Sequence, residues 1–191
     1  MSTLDTAVFL WINATPASPS WLVPFARFVT LKVLEWIFVG SVAVLFVGNA
    51  RVARCVVRIW LAMLVAALIA HLAQLLFPMP RPFSVGIGTV WRKHADTAGF
   101  PSRHACMVFA FAFVVAAYTR RWLPTLGAFG IAGLLAWSRI ALGLHFPTDV
   151  LAGVAVGGAS AWLSSLVPLH RLNLLFANRP AAVAATHPGR R

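Results

Sequence analysis

The run from Ile59 to Phe77 carries no Asp, Glu, Lys or Arg over nineteen positions. A helix needs about 20 consecutive apolar residues to cross the hydrocarbon core of a bilayer. Four further apolar stretches, Leu31–Gly48, His104–Tyr118, Trp122–Leu144 and Val150–Leu169, approach the same length. A soluble all-α protein would have to bury all five. Only 10% of the 191 residues are charged and 60% are hydrophobic, whereas soluble domains are roughly 25% charged. The sequence therefore predicts an all-α, polytopic transmembrane bundle of five to six spans.

The N-terminal part does not fit a plain span. Val8 to Ile12 is short, and Pro16, Pro19 and Pro24 interrupt the residues after it. Trp11 and Trp21 suit a headgroup interface. Residues 1–30 are expected to form interfacial or broken helices, residues 31–169 the transmembrane domain, and residues 170–191 a basic, disordered tail. No cleavable signal peptide is expected, since no basic segment precedes the first apolar run. Cys55 and Cys106 should lie near opposite membrane faces and form no disulfide.

The formal charge is +12. In a soluble protein that would suggest nucleic acid, but no basic block with interleaved aromatics stands in a soluble segment, so no nucleic-acid partner is expected. Topology accounts for most of the charge. Arg51, Arg54 and Arg58, then Arg120 and Arg121, then Arg171, Arg179, Arg190 and Arg191 recur at two-span intervals. The positive-inside rule puts all three groups in the cytoplasm. Around Asn49 to Arg58 a basic loop is expected. The long segment 78–103 and the break at His145 then share the outer side. Arg81, Arg92, Lys93 and Arg103 lie there against the topological trend, which calls for a functional reason.

Three stretches meet on that outer side: Arg81-Pro82, then Pro101-Ser102-Arg103-His104, then Ser138-Arg139 leading to His145 and Asp149. Arginines suit phosphate oxygens because the guanidinium is a planar fork. Pro101 suits the first turn of a helix, whose free amides can face an anion. Of two histidines, one can attack phosphorus and the other can protonate the leaving oxygen. Asp149 follows His145 by four residues, one helical turn, and can orient its imidazole. A turn through Phe146-Pro147-Thr148 would make that pairing depend on the turn instead.

These motifs resemble the type 2 phosphatidic acid phosphatase (PAP2) superfamily, whose pattern is K-x6-RP, PSGH and SR-x5-H-x3-D. The third motif matches in full at Ser138, Arg139, His145 and Asp149; the first ends in Arg81-Pro82; the second reads Pro101-Ser102-Arg103-His104. The resemblance covers roughly residues 70–150. It implies His145 as nucleophile, Asp149 as its orienting partner and His104 as general acid, with Arg81, Arg139 and Ser102 binding phosphate. It also implies no metal and no cofactor, in keeping with four scattered acidic residues, Asp5, Glu35, Asp96 and Asp149. Gln74 stands where the family has lysine, and Arg103 where it has glycine. Arg103, or Lys32 from the preceding span, is expected to restore the missing charge.

Within the superfamily, the "INATPASPSW" and "LGLHFPTDVLAG" stretches are similar to bacterial undecaprenyl pyrophosphate phosphatases of the bacitracin-resistance type. The implied reaction is hydrolysis of undecaprenyl diphosphate, a lipid diphosphate, to the monophosphate in the bacterial inner membrane, with the site facing the periplasm. Alternatives are another substrate (phosphatidate, phosphatidylglycerol phosphate or lipid A) or a non-hydrolytic phospholipid-binding or transport protein, the latter favoured by Gln74 and Arg103. Simpler readings stand beside these. His71 makes an interhelical hydrogen bond or lines the site. Lys32 and Glu35 form an i,i+3 ion pair. Trp91, Arg92 and Lys93 touch lipid headgroups, the pyrophosphate or only solvent, Asp96 is loop polarity, and Gly153, Gly157 and Gly158 serve helix packing.

Overall fold

The computed structural model describes residues 2–47, 49–92 and 97–169. Lys93, Asp96 and the basic tail with Arg171, Arg179, Arg190 and Arg191 lie outside the described residues. The described residues form six α-helices, one short 3-10 helix (Phe83–Val85) and no strand: α1 (Thr3–Ile12), α2 (Leu22–Val47), α3 (Ala50–Leu76), α4 (Arg103–Thr119), α5 (Trp122–Ala141) and α6 (Pro147–Ser165). Among them α2, α3 and α5 are long and apolar enough to cross a membrane, while α1 and α4 are shorter apolar helices. The protein is an all-α, membrane-integral bundle.

Two boundaries differ most from the expectation. The predicted basic loop at Asn49–Arg58 is helical from Ala50 onward. Asn49 caps it, its side-chain oxygen accepting the Arg51 and Val52 amides at 3.0 and 3.2 Å. Arginine does not stop a membrane helix at its end, because its long stem can carry the charge back to the interface. Likewise α2 starts at Leu22 and not at Leu31. Pro24 falls in its first turn, where no intrahelical amide bond is lost. The N-terminal segment is thus one ten-residue helix, α1, and a turn.

Helix α4 occupies the centre, packed against α3, α5 and α6. Val108, Phe109 and Leu135 pack with Phe9 and Phe146 in one cluster; Ile59, Met63 and Val114 build a second between α3 and α4. Small residues bring α6 onto α4. A Cβ on Gly153 would stand 2.6 Å from Ala105 Cβ, and one on Gly157 would stand 2.8 Å from the Ala110 amide nitrogen. No larger side chain fits at either position, so the two backbones touch.

The direction of the helices separates two ends. The last turn of α3, the start of α4, the end of α5 and the start of α6 converge at one. Arg51 and Arg58 meet the end of α4 at the other: Arg51 donates to the Tyr118 carbonyl at 3.3 Å and Arg58 to the Tyr118 hydroxyl at 3.1 Å. The two arginine groups of α3 and the α4–α5 turn therefore share one end, as the charge pattern predicts.

Candidate active site

The start of α6 determines the first part of the site. Pro147 occupies the first helical position and Phe146 precedes it as the cap. Asp149 turns its carboxylate back onto the Phe146 amide, accepting at 2.9 Å. The same oxygen lies 3.3 Å from Nδ1 of His145. One carboxylate thus fixes both the helix start and the imidazole. The predicted His145–Asp149 pairing is present, and it is the turn geometry that makes it.

Two guanidinium groups face the other ring nitrogen. Arg81 Nη1 lies 3.0 Å from His145 Nε2, and Arg139 Nη2 lies 3.3 Å from it. Arginine can only donate, so Nε2 accepts, and the ring proton sits on Nδ1 toward Asp149. That tautomer leaves the Nε2 lone pair directed at the point where the two guanidiniums meet. An electrophilic phosphorus whose oxygens replaced Nε2 on those donors would be presented to this lone pair.

Backbone carbonyls hold Arg81 in this pose. Its Nε donates to Thr97 O at 2.8 Å, Nη1 to Leu144 O at 3.1 Å and Nη2 to Ala98 O at 3.1 Å. The segment carrying the Thr97 and Ala98 carbonyls passes so close that a Cβ on Gly99 would come within 3.1 Å of Arg81 Cγ. Arg139 reaches the site from the last turn of α5. It is 1% exposed, yet among the described residues its Nε and Nη1 have no hydrogen-bond partner, and neither does Oγ of the fully buried Ser102. A buried donor left unpaired costs about 1–3 kcal/mol, more if charged. Phosphoryl oxygens are acceptors of the kind these three groups need.

Ser102 is the N-cap of α4, and its amide donates to the Asp149 carbonyl at 3.0 Å, joining the starts of α4 and α6. Half-buried His104 follows in the first turn of α4. Arg103 is exposed at the first position of the same helix. Gln74 donates to the Pro101 carbonyl at 3.0 Å, so it holds the segment leading into Ser102. Lys32 is directed elsewhere: its ammonium bonds Glu35 at 2.7 Å, with both side chains about half exposed on α2. His71 stands exposed on α3. The site thus unites Arg81, Ser102, Arg139, His145 and Asp149, with His104, Arg103 and Gln74 at its border.

Other residues that build the site gave weaker signals in the sequence. Asn13 donates to the Thr89 and Ala141 carbonyls at 3.0 and 3.1 Å, and accepts the Thr89 amide at 2.7 Å. It ties the turn after α1 to both the long segment and the end of α5. Gly143 completes that junction at φ +75°, where a Cβ would lie 2.4 Å from the Thr89 carbonyl oxygen. Asp5 caps α6 from α1 through Thr148. Thr30 and Ser138 hydroxyls meet at 2.7 Å, and Arg27 donates to the Trp91 carbonyl. A buried Asp and Asn in an apolar N-terminal stretch were the visible hint; the partners were not. Among the described residues no three His, Cys, Asp or Glu side chains gather to hold a metal ion.

The chain is 32% identical over 157 residues to YbjG of Escherichia coli (strain K12), a candidate undecaprenyl-diphosphatase, covering 82% of this chain and 79% of that one. It is 31% identical to a lipid A 4'-phosphatase of Bacteroides thetaiotaomicron over 177 residues, covering 85% of this chain and 76% of that one. Its fold is similar to the crystal structure of Aquifex aeolicus LpxE, with a TM-score of 0.70 at 23% identity over 86% of this chain and 96% of that one. The PAP2 superfamily model matches residues 55–172, a span that contains every residue of the arginine–histidine cluster, and the chain belongs to that superfamily.

Proposed function

We propose that this membrane phosphatase hydrolyses a lipid diphosphate, undecaprenyl diphosphate before others, to the lipid monophosphate and inorganic phosphate. The observation that carries the reading is the meeting of Arg81 and Arg139 on His145 Nε2, with Asp149 behind the ring. The terminal phosphoryl group binds to Arg81, Arg139 and Ser102. The Nε2 lone pair attacks phosphorus, and the bond to the bridging oxygen breaks. His104 gives its proton to that oxygen, releasing the lipid monophosphate. Asp149 stabilises the positive ring of the phosphohistidine. Water, deprotonated by His104, then attacks phosphorus, the P–N bond breaks and phosphate leaves. Arginine donors aimed at the equatorial oxygens lower the barrier because negative charge is spread over them in the transition state. Arg103 adds a further cation beside the phosphate.

Support for the diphosphate comes from YbjG, a relative matched over most of both chains. Lipid A is the second reading, favoured by a relative at almost the same identity. The gathering of Arg51, Arg58 and Tyr118 at the end away from the site supports an inner-membrane orientation with the site facing the periplasm. The test is phosphate release by detergent-purified protein, in EDTA, from undecaprenyl diphosphate, phosphatidate and lipid A. His145→Ala should lower the rate by at least about 10⁴-fold, and the fastest substrate identifies the branch. No release from any of them by folded protein would favour a lipid-binding role.

A further inference from the structure

A second cavity lies at the far end of the bundle. It has a volume of about 660 Å³ and opens between α2, the first half of α3 and the α4–α5 turn. That is within the roughly 300–1,000 Å³ of ligand pockets. Arg51 on its rim and Gln74 beside the active site are separated by most of α3, roughly 35 Å at 1.5 Å per residue. The two sites are distinct.

The walls are apolar, with Ile37, Val44, Val56, Ile59 and Phe111. The rim is cationic: Arg51 and Arg121 line it, both exposed, beside Tyr118 and Thr119. Among the described residues no carboxylate lines the cavity. Asp5 and Asp149 belong to the other end, and Glu35 is paired with Lys32. On the α2 side Gly40 borders open space, since a Cβ there would meet nothing within 4 Å. Below it, Trp60 of α3 donates to Ser41 of α2 at 2.8 Å, closing the groove on one side.

An apolar recess with two arginines at the membrane boundary fits a molecule with an apolar body and an anionic head. We propose that this groove binds one anionic phospholipid from the leaflet opposite the active site. Its acyl chains lie along α2 and α3, and its phosphate meets Arg51 and Arg121. The two other occupants within reach have the wrong charge. A second copy would bring its own arginines to the same level, and residues 170–191 carry four arginines and no carboxylate side chain.

The experiment is native mass spectrometry on the lipid-stripped full-length chain, titrated with phosphatidylglycerol or phosphatidylcholine. Wild type should bind one phosphatidylglycerol about tenfold tighter than phosphatidylcholine, given two arginines near the headgroup. Arg51→Gln with Arg121→Gln should remove that preference. Gly40→Trp fills the groove and should abolish the bound lipid, while Gly40→Ala retains it and phosphate release stays unchanged in both. Lipid held at the active site is common to all these variants and cancels in the comparison. Equal phosphatidylglycerol binding by wild type and Gly40→Trp overturns the proposal, as does equal binding of the two lipids by wild type. Should Gly40→Trp not fold, the exposed arginine pair decides alone. The readout is binding, so it stands whether or not the proposed hydrolysis does.

Discussion

Asp5 in the first helix caps the last one: its carboxylate accepts the Thr148 amide at 3.0 Å and the Thr148 hydroxyl at 2.7 Å, across 143 positions of sequence. A negative side chain at a helix N-terminus satisfies a free amide and complements the helix dipole. Here the helix is the one that carries Asp149. Asp5→Ala should cost about 1–2 kcal/mol of stability, read as a lower thermal unfolding midpoint in detergent. The loss in kcat should be small beside that of a change in the cluster itself, and an unchanged midpoint would show that α1 does not brace α6.

Asp149→Asn separates two roles of one carboxylate. An amide oxygen can still accept from the Phe146 amide, so the helix start survives. The charge behind His145 is lost, and the amide can also turn its NH2 toward the ring and favour the wrong tautomer. In the serine-protease triad the corresponding change lowers kcat by about 10⁴. A fall of about 10²–10⁴ in kcat with little change in KM is expected here, measured by phosphate release at saturating substrate.

Arg139→Lys keeps the charge and loses the fork. The guanidinium offers Nη2 to His145 while Nε and Nη1 are buried without partners among the described residues. A single ammonium cannot present donors in those directions. The fall in kcat/KM should be about 10²-fold or more. An equal rate in the lysine variant would mean that charge alone suffices.

Arg103 and Lys32 are both candidates to replace the family lysine, and their surroundings separate them. Arg103 is beside Ser102 at the first position of α4, whereas Lys32 is engaged with Glu35 on α2. Lys32→Met should leave kcat/KM unchanged, and Arg103→Gly should lower it about fivefold to tenfold, the scale of one partly solvated charge near a phosphate. Steady-state kinetics on both variants reads the difference. Wild-type rates in both would remove the compensation idea.

Gly143 is the tightest point of the junction below His145. Its φ of +75° and the 2.4 Å approach to the Thr89 carbonyl leave no room for a methyl group. Gly143→Ala should cost at least about 2 kcal/mol through strain and displaced backbone. Thermal unfolding would show the loss, and phosphate release should fall with it because Leu144 and His145 come directly after it in the chain.

The arginine–histidine cluster was legible because its members bear chemistry in places where apolar residues are the rule. Arg139 and Asp149 interrupt apolar segments, and His145 and Asp149 stand four residues apart, close enough for the turn at Phe146 to bring the carboxylate back onto the ring. The scaffold beneath it was less legible. Asn13 acts on residues 76 and 128 positions away, and periodicity carries no information about such partners. The carbonyls of Thr97, Ala98 and Leu144 that orient Arg81 are backbone groups, which every residue possesses. The helical start at Ala50 was hidden because a run of arginines reads as a loop when only hydrophobicity is followed. Pro24 hid the start of α2 for the complementary reason: a proline is disruptive inside a helix and harmless in its opening turn.

The contact of α4 and α6 at Gly153 and Gly157 has an evolutionary reading. His104 rides on one of those helices and Asp149 on the other, so the glycines join the proposed acid and the proposed partner of His145 in one solid block. Where a lipid tail lies against other helices, those walls can change residue by residue without moving that block. Relatives bearing the names of different lipids, at nearly equal similarity to this chain, are what such a division permits. New substrates can be acquired by repainting the periphery, and the reaction itself never has to be reinvented.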